Sequence, residues 1–125
     1  MRIFLIEDDD IYGEFIKKSL LSQDYNVSLF QSAEEAENAL KNESPEVFII
    51  DYKLPGKSGI ELYEVIKPAL KDEQKVIMLS AIDDGNMVLD FIKRGVRDYV
   101  IKDDQVIESL ITILKGDEDD YYLFN

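Results

Sequence analysis

Residues 47–62 read Val-Phe-Ile-Ile-Asp-Tyr-Lys-Leu-Pro-Gly-Lys-Ser-Gly-Ile-Glu-Leu. Val47 to Ile50 form a continuous apolar, β-prone run that ends on one acid, Asp51. Such a run suits a strand covered on both faces, as in a parallel sheet between helical layers. Pro55-Gly56 then makes a turn, and Ser58 with Glu61 three residues on forms a capping box ahead of Leu62, Tyr63 and Ile66. Pro68 ends or kinks that helix, because proline lacks an N–H and its ring clashes with the preceding turn. Strand, acid, turn and helix make one βα unit.

The unit recurs on both sides. Upstream, Ile3-Phe4-Leu5-Ile6 reads as a strand, and Asp8-Asp9-Asp10 supplies N-cap chemistry. Tyr12, Ile16 and Leu20, with Ile11 and Phe15 beside them, give the helix an apolar stripe. Val27 to Phe30 is a shorter, partly alternating strand suited to a sheet edge. Ser32 to Glu35 reads as another capping box, with Ala36, Ala39 and Leu40 inward. Downstream, Val76 to Leu79 is a fourth strand, and Val88, Phe91 and Ile92 mark a helix capped by Gly95. Tyr99 to Ile101 is a fifth strand. Ile107, Leu110, Ile111 and Leu114 stripe a last helix that stops at Gly116. Residues 116–125 join an acidic cluster to Tyr121-Tyr122-Leu123-Phe124 and read either as a linker stub or as an extra helical turn. Five βα units imply an α/β fold, a mostly parallel sheet between helical layers with right-handed crossovers.

Composition narrows the chemistry. The 125 residues suit one domain, and 46% hydrophobic with 33% charged residues is the profile of a soluble globular chain. No apolar run approaches the roughly 20 residues that span a bilayer. Glu7 to Asp10 cut short the apolar start, so no secretory signal is expected. The absence of cysteine excludes a disulfide framework and thiolate chemistry, and the absence of histidine excludes imidazole acid–base catalysis. A cytoplasmic location fits. A net charge of −13 repels phosphate backbones, so this domain alone is not expected to bind nucleic acid.

In an open parallel sheet, ligands bind beyond the carboxyl ends of the strands. There stand Glu7, Asp8 and Asp9 after the first strand, Asp51 after the third, Ser80 after the fourth and Lys102 after the fifth. Converging carboxylates repel one another unless a cation lies among them. Oxygen ligands without histidine or cysteine select a hard ion such as Mg²⁺. Lys102 offers a point charge for phosphate oxygens, and Ser80 a hydroxyl donor. Asp51 is a carboxylate able to attack phosphorus and form an acyl phosphate. Each feature also has a plainer reading. Asp9 and Asp10 suit helix capping, and a lone serine or lysine at a strand end suits a solvated rim.

The combination of Glu7-Asp8, Asp51-x-x-Leu-Pro-Gly-x-x-Gly59, Ser80-Ala81, Tyr99 and Lys102 resembles the response-regulator receiver domain of two-component signalling, over about residues 2 to 115. The resemblance implies a flavodoxin-like sheet of order 2-1-3-4-5 with helices on both faces. Residues 1–115 would form the receiver, and 116–125 an acidic, aromatic tail. Asp51 would be the phosphoacceptor. Glu7, Asp8, Asp51 and the backbone carbonyl of Lys53 would hold Mg²⁺ or Mn²⁺. Ser80 and Tyr99 would be the switch pair, and Lys102 the phosphate-binding lysine. A histidine kinase or phosphotransfer protein would donate the phosphoryl group, and the chain would catalyse only its own phosphorylation and dephosphorylation. A second copy or an output domain would use the face of the fourth helix, fifth strand and fifth helix, near Lys93, Arg94 and Arg97. The plainer reading of those three is a solvated helix end.

The sequence departs from the family pattern in places. Asp103 follows Lys102 where many receivers have proline, so a cis bond there is not expected. Ile82, two residues past Ser80, is expected to obstruct attacking water and prolong the phosphoryl group's lifetime. Lys115 is the only basic residue of the last helix, which disfavours the arginine-bearing dimer contact of some receivers. Three alternatives stay open: an aspartate-nucleophile phosphatase, which would need an acid where Lys53 stands; a flavin carrier, whose phosphate the carboxylates repel; and a degenerate receiver used only for binding.

Overall fold

The computed structural model describes residues 1–81 and 85–116. The chain alternates strand and helix: β1 (Arg2–Ile6), α1 (Asp10–Leu21), β2 (Asn26–Phe30), α2 (Ala33–Ala39), β3 (Val47–Asp51), α3 (Gly59–Ile66), β4 (Lys75–Ser80), α4 (Gly85–Lys93), β5 (Asp98–Ile101) and α5 (Val106–Leu114). All strand pairs are parallel, in the order β2-β1-β3-β4-β5. The expected topology, with β2 at an edge, is therefore found.

Side-chain alternation divides the apolar strands between two cores. Phe4, Ile6, Phe48, Ile50, Val76 and Met78 face one side, where Ala33, Ala36, Leu62, Tyr63, Ile66 and Phe91 cover them from α2, α3 and α4. Ile3, Leu5, Ile49, Ile77 and Leu79 face the other, beneath Ile16 and Leu20 of α1 and Val106, Leu110 and Leu114 of α5. Full burial of one such side chain is worth about 1.5–3 kcal/mol, so neither layer of helices is dispensable.

The helix starts follow their caps. Asp9 accepts from the Tyr12 N–H to open α1, and Ser58 and Glu61 complete a reciprocal capping box on α3. The Ser32 box is only half made: Ser32 accepts from the Glu35 N–H, while the Glu35 carboxylate meets the Ser32 hydroxyl instead of its backbone. Pro68 acts as expected. α3 ends at Ile66, and residues Lys67–Ala69 tighten into a 3₁₀ turn.

Three apolar assignments need correction. Ile11 and Phe15 are 85% and 50% exposed, because Tyr12, Ile16 and Leu20 already fill the side of α1 that meets the sheet. Ile92 is 56% exposed, since Phe91 is the α4 residue that enters the core. The tail beyond Gly116 lies outside the described residues.

The α3 cap gives the first test. Ser58→Ala removes the acceptor for the Glu61 N–H and is expected to cost about 1 kcal/mol in urea unfolding. A loss below a few tenths would mean that packing alone holds this helix start.

Candidate functional site

Parallel register brings the strand ends to one rim. Ile6 lies opposite Ile50, so the next residues, Glu7 and Asp51, fall side by side. The Glu7 N–H donates to the Phe30 carbonyl at 2.9 Å, which prolongs the extended path beyond β1. Asp51 closes β3 opposite Leu79, and the Tyr52 N–H donates to the Leu79 carbonyl at 2.9 Å. Glu7 is 1% exposed and Asp51 4%, whereas Asp8 is exposed. One carboxylate oxygen from each of Glu7, Asp8 and Asp51 lies within 4.8 Å of the others.

Lys102 enters this group from the far side. Its N–H donates to the Ser80 carbonyl at 2.9 Å, carrying the chain one step past β5. Its Nζ then reaches Glu7 Oε1 at 2.6 Å and Asp51 Oδ2 at 3.1 Å. The Lys53 N–H donates to Asp51 Oδ1 at 3.3 Å. Ser80, the last residue of β4, is 3% exposed at the same rim. Asp9 takes the capping role, and its N–H donates to Glu7 Oε2 at 3.2 Å.

The charges explain the titration. Burial pushes the Glu7 carboxyl up, and its hydrogen bond with Asp51 acts the same way, while Lys102 opposes both. Burial by itself would lower Lys102, but its bonds with Glu7 and Asp51 outweigh that and hold the ammonium above its usual value. Three carboxylates around one ammonium leave net negative charge. Their donor set is entirely oxygen, so a hard divalent cation fits this group of residues.

Two further residues shape the rim, and one of them, Tyr12, is expected from the sequence only as part of the α1 apolar stripe. The ring of Tyr12 lies 4.9 Å from Lys102 Nζ, a cation–π contact that holds the ammonium from the α1 side. The usable signal was the place of Tyr12 one helical turn after Asp8. The Tyr12 hydroxyl is buried and has no hydrogen-bond partner among the described residues. Gly59 belongs to the 51–59 motif, and its reason is steric: an added Cβ would run into the backbone carbonyl oxygen of Asp51.

Other expected residues lie apart. Tyr99 is 40% exposed on β5. Lys93 and Arg97 are exposed, but Arg94 is engaged, pairing with Asp90 and with Glu64 of α3. No cis peptide occurs among the described residues, so Lys102–Asp103 is trans as expected. Ile82 lies outside the described residues.

A family model described as "Response regulator receiver domain" matches residues 3–115. The chain belongs to that family. This receiver is 32% identical to the transcriptional regulatory protein AfsQ1 of Streptomyces coelicolor, over 80% of its own length and 44% of AfsQ1. It is 34% identical to the response regulator RppA of Synechocystis, over 82% of its length and 44% of RppA. It thus spans a little under half of these two relatives. It is 32% identical to the chemotaxis protein CheY of Listeria monocytogenes, over 85% of its length and 92% of CheY. Among solved structures, the BeF3-activated DrrB receiver domain matches with 30% identity and a TM-score of 0.79, covering 92% of this chain and 94% of that one. A CheY-like receiver from Methanospirillum hungatei, at 23% identity, matches in fold with a TM-score of 0.82 over 99% of this chain and 98% of that one. No helix among the described residues is long and apolar enough to cross a membrane.

Two substitutions test this receiver's rim. Gly59→Ala must displace the β3–α3 loop and is expected to cost more than about 2 kcal/mol in denaturant unfolding. Tyr12→Phe keeps the ring beneath Lys102 and deletes an unpartnered hydroxyl, so stability should hold or rise by up to about 1 kcal/mol. A clear loss in Tyr12→Phe would mean that the hydroxyl has a partner such as ordered water.

Proposed function

We propose that the chain accepts and loses a phosphoryl group on Asp51. What carries this reading is the packing of the Glu7, Asp8 and Asp51 oxygens within 4.8 Å, with the Lys102 ammonium 3.1 Å from Asp51. An Asp51 carboxylate oxygen attacks phosphorus as the bond to the donor's imidazole nitrogen breaks. The departing nitrogen takes that electron pair, and an acyl phosphate forms on Asp51. Water later attacks phosphorus, the carboxylate leaves, and inorganic phosphate is released. A bound Mg²⁺ or Mn²⁺ would neutralise charge on the phosphoryl oxygens; Glu7, Asp8, Asp51 and the Lys53 carbonyl are the groups that would hold it.

The chain's other rim residues have roles in this reading. The Asp51 oxygens already accept from the Lys53 amide and meet the Lys102 ammonium, which orients the carboxylate before reaction. Once phosphorylated, Asp51 offers oxygens that compete with Glu7 for Lys102. Ser80, buried on the neighbouring strand, supplies a hydroxyl to the phosphoryl group, and Tyr99 exchanges its exposed position for an inward one. The consequence is read on the face of α4, β5 and α5, where Leu89 and Ile92 are each 56% exposed and Lys93 and Arg97 are exposed too. A second copy or an output domain would dock there.

In this reading the phosphoryl donors are histidine kinases or phosphotransfer proteins of the cytoplasm, the partners of receivers in general. The chain turns over nothing beyond its own phosphoryl group. BeF3 in the DrrB relative supports the proposal, since beryllium trifluoride has the shape of a phosphoryl group.

Intact mass after incubation with acetyl phosphate is the first test. Wild type with Mg²⁺ should gain about 80 Da, and should not gain it without the metal or as Asp51→Asn. No gain under any condition would reduce the rim to a shape used only for binding. Thermal unfolding gives a second test. Mg²⁺ should raise the wild-type melting temperature, and Asp8→Asn, which removes an exposed oxygen ligand, should weaken the apparent affinity at least tenfold.

A further inference from the structure

At the opposite end of the sheet the helical cover is incomplete. α2 has only seven residues, and Pro68 turns the chain away after α3. Between them opens a cavity of about 390 Å³ whose apolar wall includes Leu40, Phe48, Val65, Ile66 and Leu70. Phe48 precedes Asp51 by three strand residues, about 10 Å along β3, so this cavity is separate from the carboxylate rim.

Most polar groups around the cavity are already engaged. The Glu37 carboxylate pairs with Lys57 at 2.6 Å, and Glu43 pairs with Arg2 at 2.6 Å. The Gln74 amide donates to Ser44 Oγ and to the Pro45 carbonyl, and accepts from the Lys71 N–H. The ammonium groups of Lys41 and Lys71 are different. Both residues line the cavity, and neither side chain makes an ion pair or hydrogen bond among the described residues. In a chain of net charge −13, two lysines without a counter-charge thus flank an apolar hollow whose acids are neutralised.

We propose that this cavity binds a small anionic amphiphile, an unbranched alkyl carboxylate of fatty-acid type. The alkyl chain lies against Leu40, Val65, Ile66 and Leu70, and the carboxylate is held by Lys41 and Lys71. The volume is within the range of small-molecule sites, where apolar walls supply affinity and a few polar groups fix orientation. It is too small for a partner helix. A cationic head would meet the two ammoniums, and a neutral one would gain nothing from them.

Decanoate, below its micelle concentration, is the probe, with decanol and decylamine as controls in calorimetric titrations of the full chain. Decanoate should bind saturably with a dissociation constant below about 1 mM. The double variant Lys41→Gln/Lys71→Gln should weaken decanoate at least tenfold and decanol less than twofold. Ala69→Trp, at an exposed position in the cavity wall, should abolish both, and Val65→Asp repeats the test from the α3 side with a repelling charge. Unchanged far-UV circular dichroism would establish that each variant is folded. Decylamine binding as tightly as decanoate, no decanoate binding by wild type, or full binding in both wall variants would each overturn the assignment.

Discussion

Glu7 and Asp51 are two acids on neighbouring parallel strands, both nearly sealed from water, with oxygens within 4.8 Å. Two unit charges at that spacing repel by about 3 kcal/mol at an effective dielectric of about 20. The Lys102 ammonium offsets this by standing against both. Removing one partner from such a buried pair costs about 3–5 kcal/mol, because the remaining charge is stranded. The rim therefore depends on β5 lying next to β4, since that pairing and the Lys102–Ser80 backbone bond deliver the ammonium. The same surplus of negative charge makes the place receptive to a divalent cation, which ties the site's function to its internal strain.

The rest of the fold keeps that rim rigid. Two apolar layers hold β1, β3 and β4 in register, and a one-residue slip of β1, β3 or β4 would turn Glu7, Asp51 or Ser80, respectively, away from its place. Asp9 both caps α1 and ties its own N–H to Glu7, so helix start and carboxylate are positioned together. Gly59 lets α3 begin against the backbone carbonyl of Asp51. Tyr12 closes the remaining side with an aromatic face.

Basic residues are few in this acidic chain, and the structure uses many of them as internal ties. Arg2 pairs with Glu43, Lys57 with Glu37, and Arg94 with Asp90 and Glu64. Lys67 donates to the Arg94 carbonyl and Lys75 to the Ile113 carbonyl. Exposed pairs of this kind contribute little singly, about 0–1 kcal/mol, but they join elements that the sheet does not join. Lys41 and Lys71 make no such tie among the described residues, and what sets them apart from other unpaired lysines is that both line an apolar cavity.

Sequence alone determined the α/β class, the strand order through its family resemblance, the capping of α3 and the stop at Pro68. Apolar runs, caps and prolines act over a few residues, and their physics is local. It also named Glu7, Asp8, Asp51, Ser80 and Lys102, because strand ends in a parallel sheet share one rim. Tertiary structure alone decided which apolar residues are covered: Ile11, Phe15 and Ile92 have core chemistry, but no element packs over them. It decided that Arg94 belongs to an ion-pair network with α3, a contact spanning 30 residues that no local pattern encodes. It decided that Tyr12 stands beneath Lys102, ninety residues distant in sequence, and that a short α2 and a kinked α3 leave a cavity. Each of these depends on what another segment leaves uncovered, and that is a property of packing between segments.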